Sequence, residues 1–176
     1  SLKRRVSSYL HKEVDRFKTK ILVSKIRDIS YTVVNTEEDA LLLENSLIKK
    51  YNPRYNVLLK DGKTYPSICV TNEYFPRIFK TRTNNNHFGT FYGPYPHISS
   101  MYAVLDIIKR LYKPRTCRQP ITREGINLGK YHPCLEYHIH NCNAPCINKQ
   151  SYEEYQENMN QAREILKGNT REVGKR

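Results

Sequence analysis

Hydrophobic positions recur at helical spacing along five stretches of the chain and give way to β-branched and aromatic runs between them. The helical spacing predicts helices over residues 2–10, 11–27, 36–51, 98–112 and 152–166. The β-branched and aromatic runs predict strands over residues 29–35, 55–60, 67–71 and 77–82. Because strands and helices are mixed along one chain, the pattern indicates the α+β class of folds.

Local sequence features predict where several of these elements begin and end. Thr36 stands three residues before Asp39, as in a capping box, and predicts the start of a helix. Pro53 ends that helix, because proline disfavours helical backbone at the residue before it. Asp61 and Gly62 predict a tight turn that joins the strands on either side into a hairpin. An aromatic, proline-rich run over residues 91–96 predicts a rigid turn.

Charge adds a functional indication. Lys and Arg outnumber Asp and Glu by 30 to 17, which gives a formal net charge of +13. Residues 150–176 carry five of each sign, so the whole excess lies in residues 1–149, with 25 bases and 12 acids. Bases that neutralise phosphates, together with 14 tyrosines that can stack on nucleobases, favour a nucleic-acid partner over a merely soluble basic protein. No apolar run approaches the roughly 18 residues of a membrane span and no signal peptide opens the chain, so we predict a cytoplasmic protein without a membrane partner.

One carboxylate interrupts the apolar face of the predicted helix over residues 36–51. At about 100° per residue, the apolar side chains cover an arc of about 160°. They are Ala40, Leu41, Leu43, Leu47, Ile48 and Tyr51. Glu44 falls inside this arc, where an ionised carboxylate is costly unless a cation or hydrogen-bond donors compensate it. Glu44 therefore predicts a partner, an arginine or a divalent metal or both, and Arg5 and Asn56 are candidates to approach the same cleft. The alternative is a glutamate at the edge of the packed face that reaches water.

Four of the five cysteines lie in residues 114–148, a stretch with little hydrophobic periodicity. Cys117, Cys134, Cys142 and Cys146 are separated by 16, 7 and 3 residues. Four thiolates can surround one metal centre and hold together a region that lacks a core of its own. The spacings match neither zinc ribbons nor the common ferredoxins, so the metal stays open. Zinc has further candidate ligands in His132, His138 and His140. Cys69, in a predicted strand, is interpreted as a small core residue.

Several motifs in a fixed order carry a resemblance to a known family. They are LKRRVSSY over residues 2–9, LLLENSLIKKYNPRYNVLLKD over 41–61, YP at 65–66, FYGPYP over 91–96 and PCLEYH over 133–138. In this order they closely resemble the UvrC family, from within its GIY-YIG nuclease domain to its cysteine-rich region. The resemblance covers essentially the whole chain, and the long motif over residues 41–61 is highly specific.

The resemblance implies an arrangement of segments. We predict the remainder of a GIY-YIG nuclease fold, a small antiparallel sheet with flanking helices, over residues 1–60. A strand-rich α/β extension with a helix follows over residues 61–115. The four-cysteine metal region is expected over residues 116–148, and a charged helix over residues 149–176 leads towards further sequence.

The resemblance also implies an active site. GIY-YIG nucleases hydrolyse a phosphodiester with one divalent metal, Mg²⁺ or Mn²⁺. By position, Glu44 matches the metal-binding glutamate and Arg5 the arginine that stabilises charge on the scissile phosphate. Tyr9 matches a tyrosine that lines the site, and Asn56 matches a supporting asparagine. This chemistry agrees with the arginine or divalent metal that Glu44 predicts as its partner. A hard cation on a carboxylate polarises phosphate or water, and a guanidinium offsets charge in the transition state.

Further implications concern the cluster, the substrate and the partner. UvrC-type proteins carry a [4Fe–4S] cluster on four cysteines here, which we expect on Cys117, Cys134, Cys142 and Cys146 with Zn²⁺ as the alternative. The implied substrate is damaged double-stranded DNA, and the implied protein partner is UvrB, bound through a region beyond residue 176. Basic side chains expected to contact DNA are Arg4, Lys109, Arg110, Lys113, Arg115 and Arg118.

The family pattern finally predicts an incomplete catalytic centre. The strands with the G-I-Y and Y-I-G triplets, which bear catalytic tyrosines and a lysine, would precede Ser1. We therefore expect residues 1–176 alone not to nick DNA, whereas an N-terminally extended version does and loses this activity on Glu44→Ala. The implied activity is the incision 3′ to a lesion in nucleotide excision repair. Two alternatives stay open: a shorter UvrC-like endonuclease, and a non-catalytic nucleic-acid-binding module organised by the metal.

Overall fold

The structure, a computed structural model, describes residues 2–10, 17–56, 65–83 and 87–169. The chain divides into two compact units, Ser1–Thr64 and Tyr65–Arg176, which are described one after the other. The helices of the first unit are α1 (Leu2–Leu10), α2 (Phe17–Lys25) and α3 (Glu37–Tyr51). The second unit contains β1 (Ser67–Thr71), β2 (Ile78–Thr81), β3 (Gly89–Tyr92), α4 (Ile98–Tyr112), α5 (Arg123–Asn127), α6 (Leu135–His138), a 3₁₀ helix (Pro145–Ile147) and α7 (Tyr152–Leu166).

Helix α3 begins and ends as its sequence predicts. The Thr36 hydroxyl accepts a hydrogen bond from the Asp39 backbone N–H at 3.0 Å, which caps the first turn. At the other end, Asn52 adopts a left-handed conformation and donates its N–H to the Ile48 carbonyl. Within the same unit α1 packs against α2. The ammonium of Lys25, at the end of α2, lies 5.7 Å from the centre of the Tyr55 ring, so the segment that follows α3 lies beside α2.

The predicted strand over residues 29–35 is wrong. These residues form no helix or strand, and Val33 is 81% exposed. β-branched and aromatic residues favour a strand where a neighbouring strand pairs with them and one face is buried. In the described part of the chain, no strand pairs with this segment.

The sheet of the second unit has the order β2-β1-β3, with both pairs antiparallel. Every residue of the central strand β1 is buried. Strands β2 and β3 occupy both edges of β1. Of the strand predicted over residues 55–60, Tyr55 and Asn56 form no strand, and the rest lies outside the described residues. Residues 57–64, which include the predicted turn, lie outside the described residues.

Strand β3 was not predicted, since its rings had indicated only a turn. It pairs with β1 so that Gly89 lies opposite Thr71. A Cβ atom added at Gly89 would overlap the carbonyl oxygen of Val70, which explains why a glycine begins this strand. The close approach lets the two backbones meet at the point where the strands start to pair.

Helices α4 and α7 pack against each other, and their apolar faces share one core with the sheet. The helical spacing predicted both helices with the bounds observed. The cysteine-rich stretch between them is part of the same core, through Ile121, Ala144 and Cys146. The α+β class with a small antiparallel sheet and flanking helices is confirmed. The sheet lies in the second unit, however, and the described residues 2–10 and 17–56 form helices but no strand. The predicted division at residues 60, 115 and 148 stays a prediction. No helix in the described ranges has both the length and the apolar character needed to cross a membrane.

Candidate active site and metal centre

Glu44 lies in the middle of α3 and is half-buried. Its neighbours Leu43 and Asn45 are half-buried as well, and Ile48, one turn further on, is buried. The predicted apolar face is only partly correct, because Leu47 is exposed and so is Tyr51, at 67%. The carboxylate therefore stands on the more buried part of the helix surface, in a position that water reaches only partly.

The other predicted active-site residues of the first unit are found on different elements. Tyr9 is half-buried on α1, and Asn56 is exposed in the segment after α3. The backbone N–H of Asn56 donates to the Pro53 carbonyl at 3.3 Å, so a turn fixes the start of this segment. The Arg5 side chain lies outside the described residues. Convergence of these four side chains on one phosphate stays a prediction.

The four candidate ligand cysteines differ in exposure. Cys142 and Cys146 are buried, Cys117 is half-buried, and Cys134 is exposed as the residue that precedes α6. The alternative ligands His132, His138 and His140 are all exposed. Among the described residues, no three His, Cys, Asp or Glu side chains form a group that could hold a metal ion.

Electrostatic effects nevertheless link the four thiols. Burial raises the pKa of Cys142, and the neighbouring Cys117, Cys134 and Cys146 raise it further. Burial likewise raises the pKa of Cys146, with a further increase from Cys117 and Cys134. The negative charges of neighbouring thiolates therefore disfavour ionisation of the two buried thiols.

The backbone around the two buried cysteines is strained. His140, Ala144 and Asn148 have φ values of 60°, 50° and 59°, in the left-handed region that non-glycine residues seldom adopt. Each such residue costs on the order of 1–3 kcal/mol and persists where the surroundings enforce it. These residues alternate with Cys142 and Cys146 along the chain, so the backbone turns sharply on either side of each buried cysteine.

Arg115 contradicts its predicted role in DNA contact. Its side chain is only 1% exposed, and its donors are used inside the second unit. The guanidinium donates to three backbone carbonyls at 2.7–2.9 Å and to one carboxylate oxygen at 2.9 Å. The acceptors are the carbonyls of Phe75, Cys117 and Gln119 and the Glu73 carboxylate. A further contact of 3.4 Å joins Nη1 to the Cys117 sulfur, so this buried cation ties the loop between β1 and β2 to the start of the cysteine-rich stretch.

Two partners complete the network around Arg115. Partial burial raises the pKa of Glu73, but hydrogen bonds from Arg77 and Thr71 and the charge of Arg115 outweigh it, so that the pKa lies below its usual value. The Tyr155 hydroxyl accepts from the Arg115 backbone N–H at 3.0 Å and donates to the Pro76 carbonyl at 2.7 Å. The sequence gives no indication of this network, because arginine is ordinarily exposed and three of its partners, Glu73, Phe75 and Tyr155, lie about forty positions away.

The remaining predicted DNA-contacting residues are accessible to different extents. Arg4, Lys109, Arg110 and Arg118 are exposed, and Lys113 is half-buried at the end of α4. Arg110 also pairs with Asp106 at 2.7 Å on the same helix. These positions stay candidates for a polyanion surface.

Comparison with known proteins identifies both units. Residues 1–57 match the UvrC-like GIY-YIG domain, and residues 65–165 match the UvrC/Cho excinuclease, middle domain. The "UvrABC system protein C" of Bacteroides thetaiotaomicron is 61% identical over 175 residues, which are 99% of this chain and 29% of that protein. The protein of the same name from Bacteroides fragilis is 63% identical with the same coverage. That from Salinibacter ruber is 44% identical over 98% of this chain and 28% of its own length.

These matches confirm the resemblance predicted from the motifs. They also show how much of the related proteins this chain corresponds to. The chain spans somewhat under a third of the length of the curated relatives it matches. No solved structure matches the chain. Since the middle-domain match alone covers more than half of its residues, the chain belongs to the UvrC/Cho excinuclease family.

Proposed function

We propose that this chain is the nuclease-bearing part of an excision-repair endonuclease that cuts DNA on the 3′ side of a lesion. The reaction is hydrolysis of a phosphodiester with one divalent ion, Mg²⁺ or Mn²⁺. The observation that carries the proposal is the half-buried carboxylate of Glu44 in the middle of α3, inside the segment 1–57 that matches the UvrC-like GIY-YIG domain. Such a carboxylate offers a hard anionic ligand to a divalent cation.

Each active-site side chain has a proposed role. Glu44 would hold the ion, and one carboxylate suffices because Mg²⁺ commonly takes its other ligands from water and phosphate. The bound ion supplies charge stabilisation on the phosphate and a more acidic water. Arg5 neutralises charge that develops on the phosphate oxygens. Tyr9, half-buried on α1, lines the site, and the exposed Asn56 amide donates and accepts hydrogen bonds that orient the substrate.

The proposed substrate is damaged double-stranded DNA, and the proposed protein partner is UvrB, which acts with protein C in the system named by the relatives. The proposed compartment is the cytoplasm. Support for DNA as substrate comes from the net charge of +13 and from the exposed bases of both units. The candidates are Arg4, Lys109, Arg110 and Arg118, with Lys113 half-buried beside them. Phosphate contacts of this kind supply affinity without sequence preference, which suits an enzyme that acts at many sites.

Removal of divalent metal tests the proposed reaction. In the presence of its partner proteins, the full-length protein that carries this chain is expected to cut a lesion-containing duplex 3′ to the lesion with Mg²⁺ or Mn²⁺. Excess EDTA should abolish the cut, and added Mg²⁺ should restore it, because the ion supplies the charge stabilisation. The product is measured on a 5′-labelled strand by denaturing gel. Cutting at an unchanged rate in EDTA would rule out the proposed chemistry.

We further propose that Cys117, Cys134, Cys142 and Cys146 hold a [4Fe–4S] cluster, with Zn²⁺ as the alternative. Support comes from Cys142 and Cys146, which are buried and separated by three residues, and from the charges of Cys117 and Cys134, which raise the pKa of both thiols. Cys69, buried in the central strand, has no part in it.

Anaerobic purification tests this centre. The chain is expected to be brown and to contain about four iron atoms and four sulfides per molecule. Cys142→Ser should remove the iron and the visible absorbance, whereas the matched variant Cys69→Ala should keep both. A colourless protein with one zinc per chain would show that the four cysteines hold zinc and no iron–sulfur cluster. A protein with neither metal would refute the centre altogether.

A further inference from the structure

Two shallow cavities of the second unit share Tyr102 as a lining residue, and together they are called the groove. The first, of about 330 Å³, lies between the edge strand β2 and helix α4. The second, of about 380 Å³, is lined by residues of α4 alone, from Tyr102 to Lys109. Met101 and Ile98 give one part of it an apolar wall, while Lys80 and Lys109 stand in different cavities.

The groove carries a positive charge. Lys80 and Arg82 line the first cavity and Lys109 lines the second. The single acidic side chain of the lining is Asp106, whose carboxylate is engaged by Arg110 at 2.7 Å. The groove thus presents cations from the sheet and from the helix to whatever enters it. A polyanion is the complementary ligand.

Tyr102 adds an aromatic surface at the centre of this charge. Its side chain is 46% exposed, although it stands between the two cavities. The Lys80 ammonium lies 4.7 Å from the ring centre and hydrogen-bonds the Tyr102 hydroxyl. The ring and the Lys80 ammonium therefore lie side by side in the first cavity. An exposed ring beside lysines is an arrangement on which single-stranded nucleic acids stack their bases.

We propose that this groove binds a single-stranded stretch of nucleic acid, with an unpaired base stacked on Tyr102 and its phosphates beside Lys80 and Lys109. A paired base in a duplex does not present its face to a protein ring, so the ring favours a single strand over a double helix. The inference rests on the proposed function only in that DNA is the expected partner. It adds a binding site on the middle-domain unit, separate from Glu44 in sequence and in chemistry.

Fluorescence anisotropy with labelled oligothymidine tests the groove on residues 1–176. Tyr102→Ala is expected to weaken binding about tenfold, because one stacked base is lost. Tyr102→Phe keeps the ring and should bind within about twofold of the unchanged chain. Lys80→Gln should weaken binding several-fold and reduce the slope of log affinity against log salt by about 0.7, the value for one phosphate of a single strand. A duplex of the same length should respond to Tyr102→Ala by less than about twofold.

Lys149→Gln is the matched control, since it removes one exposed lysine that does not line the groove. It should leave the preference for single strands unchanged. Circular dichroism checks that every variant is folded. Binding by Tyr102→Ala and Lys80→Gln equal to that of the control would overturn the inference. So would equally effective competition by polyglutamate of the same charge, which would indicate an acidic protein segment as the occupant.

The outcome separates this inference from the nuclease proposal. Loss of binding on Tyr102→Ala together with metal-independent cutting would keep the groove and reject the nuclease chemistry. If cutting depends on metal but the Tyr102→Ala variant binds oligothymidine as tightly as the unchanged chain, the nuclease chemistry is kept and the groove is rejected.

Discussion

Glu44→Ala is expected to lower the rate of DNA incision by the full-length protein about a thousandfold or more. The substitution removes the carboxylate proposed to hold the divalent ion, and the charge stabilisation that the ion supplies amounts to several kcal/mol of the barrier. Glu44→Gln keeps the size and hydrogen-bonding capacity of the side chain but removes its charge. It should lose nearly as much activity, which would show that charge rather than packing is required. Single-turnover incision of a labelled lesion duplex measures both variants.

Glu38→Ala is the control for this experiment. Glu38 is an exposed carboxylate in the first turn of the same helix α3, and its loss removes only a favourable interaction with the helix dipole. That interaction is worth about 0.3–1 kcal/mol of stability, and incision should stay unchanged. The assignment fails if Glu44→Ala, folded by circular dichroism, cuts as fast as Glu38→Ala.

Arg115→Ala is expected to lower the free energy of unfolding of the second unit by about 3–5 kcal/mol, the usual cost of breaking a buried ion pair from one side. Three carbonyls lose a donor, and the Glu73 carboxylate loses one of its two arginine partners. Arg115→Lys should recover only part of the loss, because one ammonium cannot donate along the several directions of a guanidinium. Urea denaturation followed by far-ultraviolet circular dichroism measures the difference.

Arg118→Ala provides the comparison for Arg115. Arg118 is exposed three positions later on the same connection, so its removal should change the free energy of unfolding by no more than about 0.5 kcal/mol. Equal stabilities of the two alanine variants would mean that the buried network contributes little. A large loss for Arg115 alone would explain why the middle-domain unit keeps a charged side chain in its interior.

Periodicity predicted the elements that bury one continuous face within a single helix. Helices α3, α4 and α7 each have an apolar stripe within the sequence itself, and α3 also has the Thr36 cap, so local sequence suffices to define them. Strand β3 was missed because its rings precede a proline-rich turn, and its strand character comes from pairing with β1 more than fifteen positions earlier. The strand predicted over residues 29–35 failed for the converse reason, since the described residues supply it with no partner.

The functional residues likewise differ in whether the sequence alone could predict them. Glu44 stands out in the sequence because a charge interrupts an apolar stripe, and the structure finds it half-buried. Arg115 could not be separated from the exposed bases around it, because its burial depends on Glu73, Phe75 and Tyr155, all about forty positions away. The groove around Tyr102 was likewise beyond prediction, since Lys80 and Tyr102 meet only once β2 lies beside α4.

Manganese binding to residues 1–176 tests the central claim most directly. Titration of Mn²⁺ followed by electron paramagnetic resonance should show one site in the chain, which Glu44→Gln removes and Glu38→Gln keeps. The four cysteines do not interfere, because hard Mn²⁺ prefers oxygen ligands to thiolates. Equal binding of Mn²⁺ by the Glu44→Gln and Glu38→Gln variants would contradict the assignment of Glu44 as the ligand of the catalytic metal.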